Sequence, residues 1–124
     1  AIEHRATWMY YLLQEAKNYL PGRVRELAAR YGFNYRDVKI RKMKSRWGSC
    51  SGNNNINLNS WLVMLPDHLS DYVILHELVH TRHRDHSARF WRALNGVTGG
   101  SAKHLRKELR EQKIMYFHSG MDAD

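Results

Sequence analysis

The sequence predicts an α+β fold, rich in helix and carrying a small antiparallel sheet, and three observations lead there. Apolar residues recur at helical spacing near both ends of the chain and in a long central run. Two short stretches, near residues 38–43 and 55–59, alternate with period two, and punctuating residues such as Pro21-Gly22, Gly32 and Ser51-Gly52 fall between the elements. With 124 residues, 43% of them hydrophobic, there is enough apolar side chain for one core and not for two.

Taken in order, Ile2, Ala6, Met9, Leu13, Ala16 and Leu20 form one helical stripe, which Pro21-Gly22 is expected to interrupt or restart. Val24, Leu27, Ala28 and Tyr31 make a second stripe, with Gly32 as its C-cap. Val38, Ile40 and Met43 then alternate imperfectly with Lys39, Arg41 and Lys42, which reads as a strand with one wet, basic face. After the SGNNN turn, Ile56 and Leu58 point one way while Asn55, Asn57 and Asn59 point the other, as in a partner strand. Such a strand is a candidate edge for an extended peptide, although its asparagines read equally well as solvated turn residues.

The run from Pro66 to His83, PDHLSDYVILHELVHTRH, reads as one helix. Asp67 or Ser70 can cap it, and Leu69, Val73, His76, Val79/His80 and His83 recur at helical spacing. Most other positions from Tyr72 to Val79 are apolar too, so this helix is buried on nearly every side. Ser87 is placed to cap a further helix, ARFWRALNG, and a basic helical segment containing Met115 follows.

Inside the buried helix stands His76-Glu77-Leu78-Val79-His80. Residues i and i+4 lie one above the other on a helix, so His76 and His80 can hold one metal ion while Glu77 projects about 100° away, where a base acting on metal-bound water belongs. The third ligand follows from geometry. His83 continues the same face, but i and i+7 stand about 10 Å apart whereas zinc–nitrogen bonds are about 2 Å. The chain therefore has to leave the helix and return, and Arg82-His83-Arg84-Asp85 is polar enough to be that exit before His86. A glutamate from a later helix, Glu108 or Glu111, is the other candidate; His86 ranks first because its excursion is shorter. His4, His68, His104 and His118 lack partners at ligand spacing and are assigned to the surface.

Three neutral imidazoles leave zinc one open position for water, whose pKa falls toward ~7. Glu77 is then the general base for attack on an amide carbonyl and the general acid for the leaving amine. Arg46, Tyr72, His83 and Tyr116 are of suitable type to stabilise the oxyanion, and Asp71, Asp85, Glu108 and Glu111 to orient the imidazoles. Zn2+ suits an all-imidazole site, as do other divalent transition metals such as Ni, Co and Cu.

The spacing of His76, His80 and His86 is similar to that of metzincins, HExxHxxGxxH, but His83 replaces the turn glycine and no Met-turn follows; in gluzincins the third ligand is a glutamate. The order of helix, small sheet, active-site helix and two further helices resembles a minimal zincin. The run RKMKSRWGSCS at 41–51, INLN at 56–59, DYVILHELVH at 71–80 and DHSARFW at 85–91 resembles the YgjP-like metal-dependent hydrolase family, whose relatives are the SprT-like and WLM metallopeptidases. The resemblance implies that His76, His80 and His86 are metal ligands and Glu77 the catalytic residue. It implies a catalytic domain at 1–118 with a short tail at 119–124. Members usually carry a strand-rich region before this part, so a missing N-terminal region of the same protein is expected to contribute to the cleft or cover it.

Composition bounds the remaining classes. No apolar run approaches the ~18 residues of a membrane span, and no signal peptide is evident. The one cysteine, Cys50, excludes an intrachain disulfide, fits the cytoplasm, and is expected to pack near Trp47-Gly48 rather than act as a nucleophile. A net charge of +8 is concentrated in Arg36, Lys39, Arg41, Lys42, Lys44 and Arg46 and again in Lys103, Arg106, Lys107, Arg110 and Lys113. Such stripes can neutralise phosphates, with Trp47 or Tyr116 stacking on bases, so DNA or another nucleic acid is a candidate partner beside a peptide or protein substrate. The SprT-like resemblance points the same way, toward a DNA-associated protease or a nucleic-acid-binding module. A nucleotide phosphohydrolase is the third reading, without a glycine-rich phosphate loop to support it.

Overall fold

The computed structural model describes residues 2–116 and, within them, the side chains of residues 7–112. The tail expected at 119–124, His118, and the side chains of His4, Lys113, Met115 and Tyr116 lie outside the described residues.

A single helix, α1, runs from Ile2 to Tyr31 and continues through Pro21 where the sequence reading expected a break. A proline inside a helix costs about 3 kcal/mol. Leu20, Val24 and Leu27, on either side of it, are at most 2% exposed, and each such burial is worth roughly 1.5–3 kcal/mol. Packing of one continuous seam, Ala16-Leu20-Val24-Leu27, thus outweighs the local penalty. The helix closes as expected at Gly32, whose φ of 74° lets the Phe33 N–H reach back to the Ala28 carbonyl at 2.9 Å.

Three strands follow: β1 (Asp37–Arg41), β2 (Gly48–Cys50) and β3 (Asn55–Asn59), in the spatial order β1-β3-β2. The sheet is mixed rather than antiparallel throughout. β1 runs parallel to β3, pairing Val38 with Ile56 and Ile40 with Leu58, whereas β2 runs antiparallel to it. The SGNNN turn therefore joins β2 to β3, with Asn54 in the left-handed region at φ 62°, and residues 42–54 form the crossover that two parallel strands require. β2 was illegible because Gly48, Ser49 and Cys50 carry no alternating pattern. β3, the expected peptide-binding edge, is the middle strand and has no free edge; β1 and β2 are the edges.

The inward faces of the strands are as the alternation predicts, with Ile56 and Leu58 fully buried and Val38 and Ile40 packed against the core. Asn59 is fully buried as well, not solvated. Its Nδ2 donates to the carbonyls of Met43 (3.0 Å) and Arg46 (2.8 Å), and its Oδ1 accepts from the Trp61 N–H (3.1 Å). It thereby caps the 3-10 turn Ser60–Met64 and ties down the β1–β2 connection.

The central helix α2 spans Asp67–His80 and buries Tyr72 through His80 without interruption. Pro66 occupies its N-cap, and neither Asp67 nor Ser70 bonds a first-turn N–H; Ser70 Oγ instead donates to the Asp67 carbonyl. The helix ends at His80 rather than His83, because Thr81 turns its hydroxyl and N–H onto the Leu78 carbonyl and tightens the last turn. α1 is bound to α2 by a two-pronged ion pair, Arg23 Nε and Nη2 to Asp71 Oδ1 and Oδ2 at 2.8 and 2.7 Å. α3 (Ala88–Val97) buries Phe90 and Leu94, and α4 (Ala102–Tyr116) buries Ala102 and Leu109. Among the described residues no helix is long and apolar enough to cross a membrane.

Candidate metal centre

His76 and His80 lie one turn apart on α2, each 4% exposed, and their rings approach to 5.0 Å between centroids. The chain leaves α2 at Thr81, runs through an exposed loop and brings His86 back over the same helix turn. His86 Nε2 is 3.1 Å from His80 Nε2 and 3.3 Å from His76 Nε2. Three nitrogens bound to one tetrahedral ion at 2.0–2.1 Å stand about 3.3 Å apart. The two separations from His86 match that edge, and the ligand atoms of all three lie within 4.8 Å of one another, so the three imidazoles can hold a single divalent metal.

The His80 tautomer follows from its other nitrogen. Nδ1 lies 2.8 Å from the His83 carbonyl, which can only accept, so Nδ1 carries the proton and Nε2 turns its lone pair to the centre. His83 thus contributes its backbone carbonyl to the site. Of the expected orienting carboxylates, Asp71 is engaged by Arg23 and Glu108 by His68 Nε2 at 2.7 Å, which leaves neither at the histidines. Asp85 accepts the Ser87 N–H at the start of α3, and the Ser87 hydroxyl and N–H hold its carboxyl below the usual carboxylate range. Glu108 and Glu111, the alternative third ligands, do not join the histidine group.

Phe90 was not foreseen. It is fully buried and its ring touches all three imidazoles: stacked on His80 at 4.5 Å, edge-on to His76 and to His86, both at 4.8 Å. The only signal in the sequence is its position four residues after His86, one turn into α3. Tyr72, a turn before His76, packs edge-on to that ring at 5.9 Å, while Arg46 is exposed.

Glu77 is fully buried beside His76. Its Cγ lies so near Gly48 that a Cβ at that glycine would come within 3.2 Å of it. β2 therefore runs over the helix at the carboxylate, and a side chain at Gly48 would displace it. Cys50, on the same strand, packs against the core as expected; Trp47 is 1% exposed and so closed to base stacking.

Residues 3–112 match the model of the YgjP-like metallopeptidase domain. The chain belongs to the YgjP-like family. It is accordingly a metallopeptidase domain and a hydrolase, as the YgjP-like motifs led us to expect. Solved structures with the same fold include the metallopeptidase zymogen abylysin of Pyrococcus abyssi, at a TM-score of 0.68 and 21% identity over 83% of this chain and 97% of that one. The metallopeptidase zymogen jannalysin of Methanocaldococcus jannaschii aligns with a TM-score of 0.63 and 23% identity over 73% of this chain and 93% of that one. No curated protein matches the chain.

Proposed function

We propose that this YgjP-like domain hydrolyses peptide bonds with a divalent metal, zinc first, held by the Nε2 atoms of His76, His80 and His86, and with Glu77 as the residue that moves the proton. The approach of His86 Nε2 to within 3.1 and 3.3 Å of His80 and His76 Nε2, beside a buried carboxylate, is the observation that carries the reading. A bound ion supplies a Lewis acid and an acidified water. Glu77 takes the proton of the attacking water and passes it to the leaving nitrogen, so that the amide yields a carboxylate and an amine. The His83 carbonyl holds the His80 tautomer, and Phe90 keeps solvent from the inner side of the imidazoles.

An extended substrate is read as pairing with β2. This strand is an edge of the sheet, and its Gly48 stands against Glu77, so a peptide added alongside would pass the carboxylate with its backbone hydrogen-bonded. The solitary Cys50 suits the reducing cytoplasm.

Metal content measured by elemental mass spectrometry, with protein prepared without a metal-affinity tag, tests the ligands; casein cleavage tests the chemistry. About one ion per chain, lost in His76→Ala and in His86→Ala, and a Glu77→Gln variant that keeps the ion but loses cleavage, is the expected pattern. A Glu77→Gln variant that cleaves at the wild-type rate would remove Glu77 from its role.

A second reading, contact with nucleic acid, rests on Arg36, Lys39, Arg41, Lys42, Lys44 and Arg46. All six are exposed, and among the described residues none forms an ion pair. With Trp47 buried, stacking of bases on that ring is closed, and these side chains would meet phosphates first.

A further inference from the structure

We propose that Arg82 and Arg84 are positioning residues that hold His86 in place for the metal, an inference resting on the reading of the three histidines as ligands. The triad is assembled from unequal parts. His76 and His80 are fixed by a helix buried on all sides, whereas His86 is exposed and sits on an exposed loop between α2 and α3. Phe90 touches its ring, but burial does not hold the loop that carries it. An unrestrained loop would have to be ordered each time the metal bound, and that conformational cost would be taken from the affinity.

The loop is restrained by residues on either side of His83. The Arg82 guanidinium donates to the Gly32 carbonyl at the end of α1 and lies over the Phe33 ring, 4.4 Å from its centroid. The Arg84 guanidinium reaches a different element, the β2–β3 turn: Nη1 donates to the Ser51 carbonyl at 2.9 Å, and Nη2 to the Gly52 carbonyl at 3.1 Å and to Asn54 Oδ1 at 2.5 Å. Between them, the His83 carbonyl accepts from His80. Three consecutive residues of the loop are thus tied to α1, to α2 and to the sheet just before His86.

The chemistry of these ties separates them from ordinary surface charges. Both arginines donate to oxygens of carbonyls and an amide, and among the described residues neither enters an ion pair. A planar fork with several N–H groups can meet three acceptors at once, which a lysine ammonium on a flexible stem cannot do in the same geometry. The acceptors are arranged by Asn54, whose left-handed backbone (φ 62°) folds the turn around the guanidinium. Arg84 also connects the third histidine to the turn that follows β2, the strand lying over Glu77. One side chain therefore registers the metal ligand against the strand proposed to carry substrate.

The test is the zinc dissociation constant, measured by competition with a chromophoric chelator, for the wild type and for Arg82→Ala, Arg84→Ala, Arg84→Lys and Asn54→Gly. The last removes one acceptor while keeping a residue that tolerates positive φ. Thermal unfolding of each metal-free protein is followed in parallel. Arg82→Ala and Arg84→Ala should each weaken zinc by about 10–100-fold, as loss of groups that support metal ligands does elsewhere, and an unchanged affinity in either removes that arginine from the role. Arg84→Lys should fail to restore affinity, and Asn54→Gly should show a smaller loss in the same direction. The metal-free melting temperatures should stay within about 3 °C of the wild type. Zinc affinity of Arg84→Ala within about twofold of the wild type overturns the inference, because supporting residues have larger effects. Equally, a large drop in the metal-free melting temperature that accompanies the weakened affinity marks Arg84 as a residue of the fold and overturns it. A wild type that binds no zinc would instead sink the three-histidine reading, and this inference with it.

Discussion

Gly48 and Glu77 share a space that admits only one side chain. A Cβ on Gly48 would lie 3.2 Å from Glu77 Cγ, 3.0 Å from the Asn57 carbonyl oxygen and 3.3 Å from Leu58 Cδ2. The backbone oxygen of β3 cannot give way, so β2 must shift at Gly48 and the Glu77 and Leu58 side chains must move with it. Gly48→Ala should cost about 1–3 kcal/mol of stability, as overpacking does. It should also lower kcat by more than it changes metal content, since Glu77 moves and the histidines do not. Casein-cleavage kinetics alongside elemental analysis check this; unchanged kcat would mean that Glu77 tolerates the shift.

Phe90 supports three imidazoles with one ring. Phe90→Ala should destabilise the domain by about 3–5 kcal/mol, through reduced burial and the cavity left behind. Phe90→Leu should recover most of that stability but not all of the metal affinity, because the stacked face on His80 is gone. Urea unfolding of the metal-free protein, set against zinc competition, separates the two effects.

The Arg23–Asp71 pair joins α1 to α2 with both side chains about one-fifth exposed. Arg23→Ala should cost about 1.5–3 kcal/mol, the range for charge-assisted hydrogen bonds. A double-mutant cycle with Asp71→Ala should show coupling. The hydrogen bonds to Asp71 raise the Arg23 pKa above its ordinary value. A raised pKa gives stability that is fully present below the unfolded value and is lost only above it. The contribution should therefore persist to about pH 10, well below any arginine titration. Unfolding free energies of wild type and Arg23→Ala across pH 7–10 should keep a constant difference, at about RT precision.

If the β1 side binds nucleic acid, Lys39→Glu/Arg41→Glu should weaken binding of a fluorescent oligonucleotide. The dependence of log affinity on log salt should flatten by about 0.9 for each phosphate that is no longer neutralised. Cleavage of casein should be unaffected, since β1 is the sheet edge away from β2. Anisotropy titrations over a salt series decide it, and equal affinities would remove the second reading.

Much of the site could be read along one helix. A central helix apolar on every side has to be buried, and histidines four apart on it have to face one point; α2 bears out both expectations. The alternation of Ile56 and Leu58 with asparagines likewise identified β3 and its inner face. Elsewhere the local signals misled. Pro21 looked like a break because its penalty is local, while the burial of Leu20, Val24 and Leu27 that overrides it comes from other elements. Asn59 looked solvated because nothing near it in sequence announces the carbonyls of Met43 and Arg46 that fold back to it.

The sequence by itself determined the helix-rich α+β class, the buried helix, and the placing of His76, Glu77 and His80, because each depends on periodicity within one element. Only the tertiary structure decided that the sheet is mixed, that β2 and not β3 is the edge over Glu77, and that His86 rather than Glu108 or Glu111 meets the other histidines. Those outcomes depend on contacts between segments far apart in the chain: Arg84 with Ser51, Phe90 with His76, Gly48 with Glu77. Such contacts are set by how elements pack, and no spacing within a single element records them.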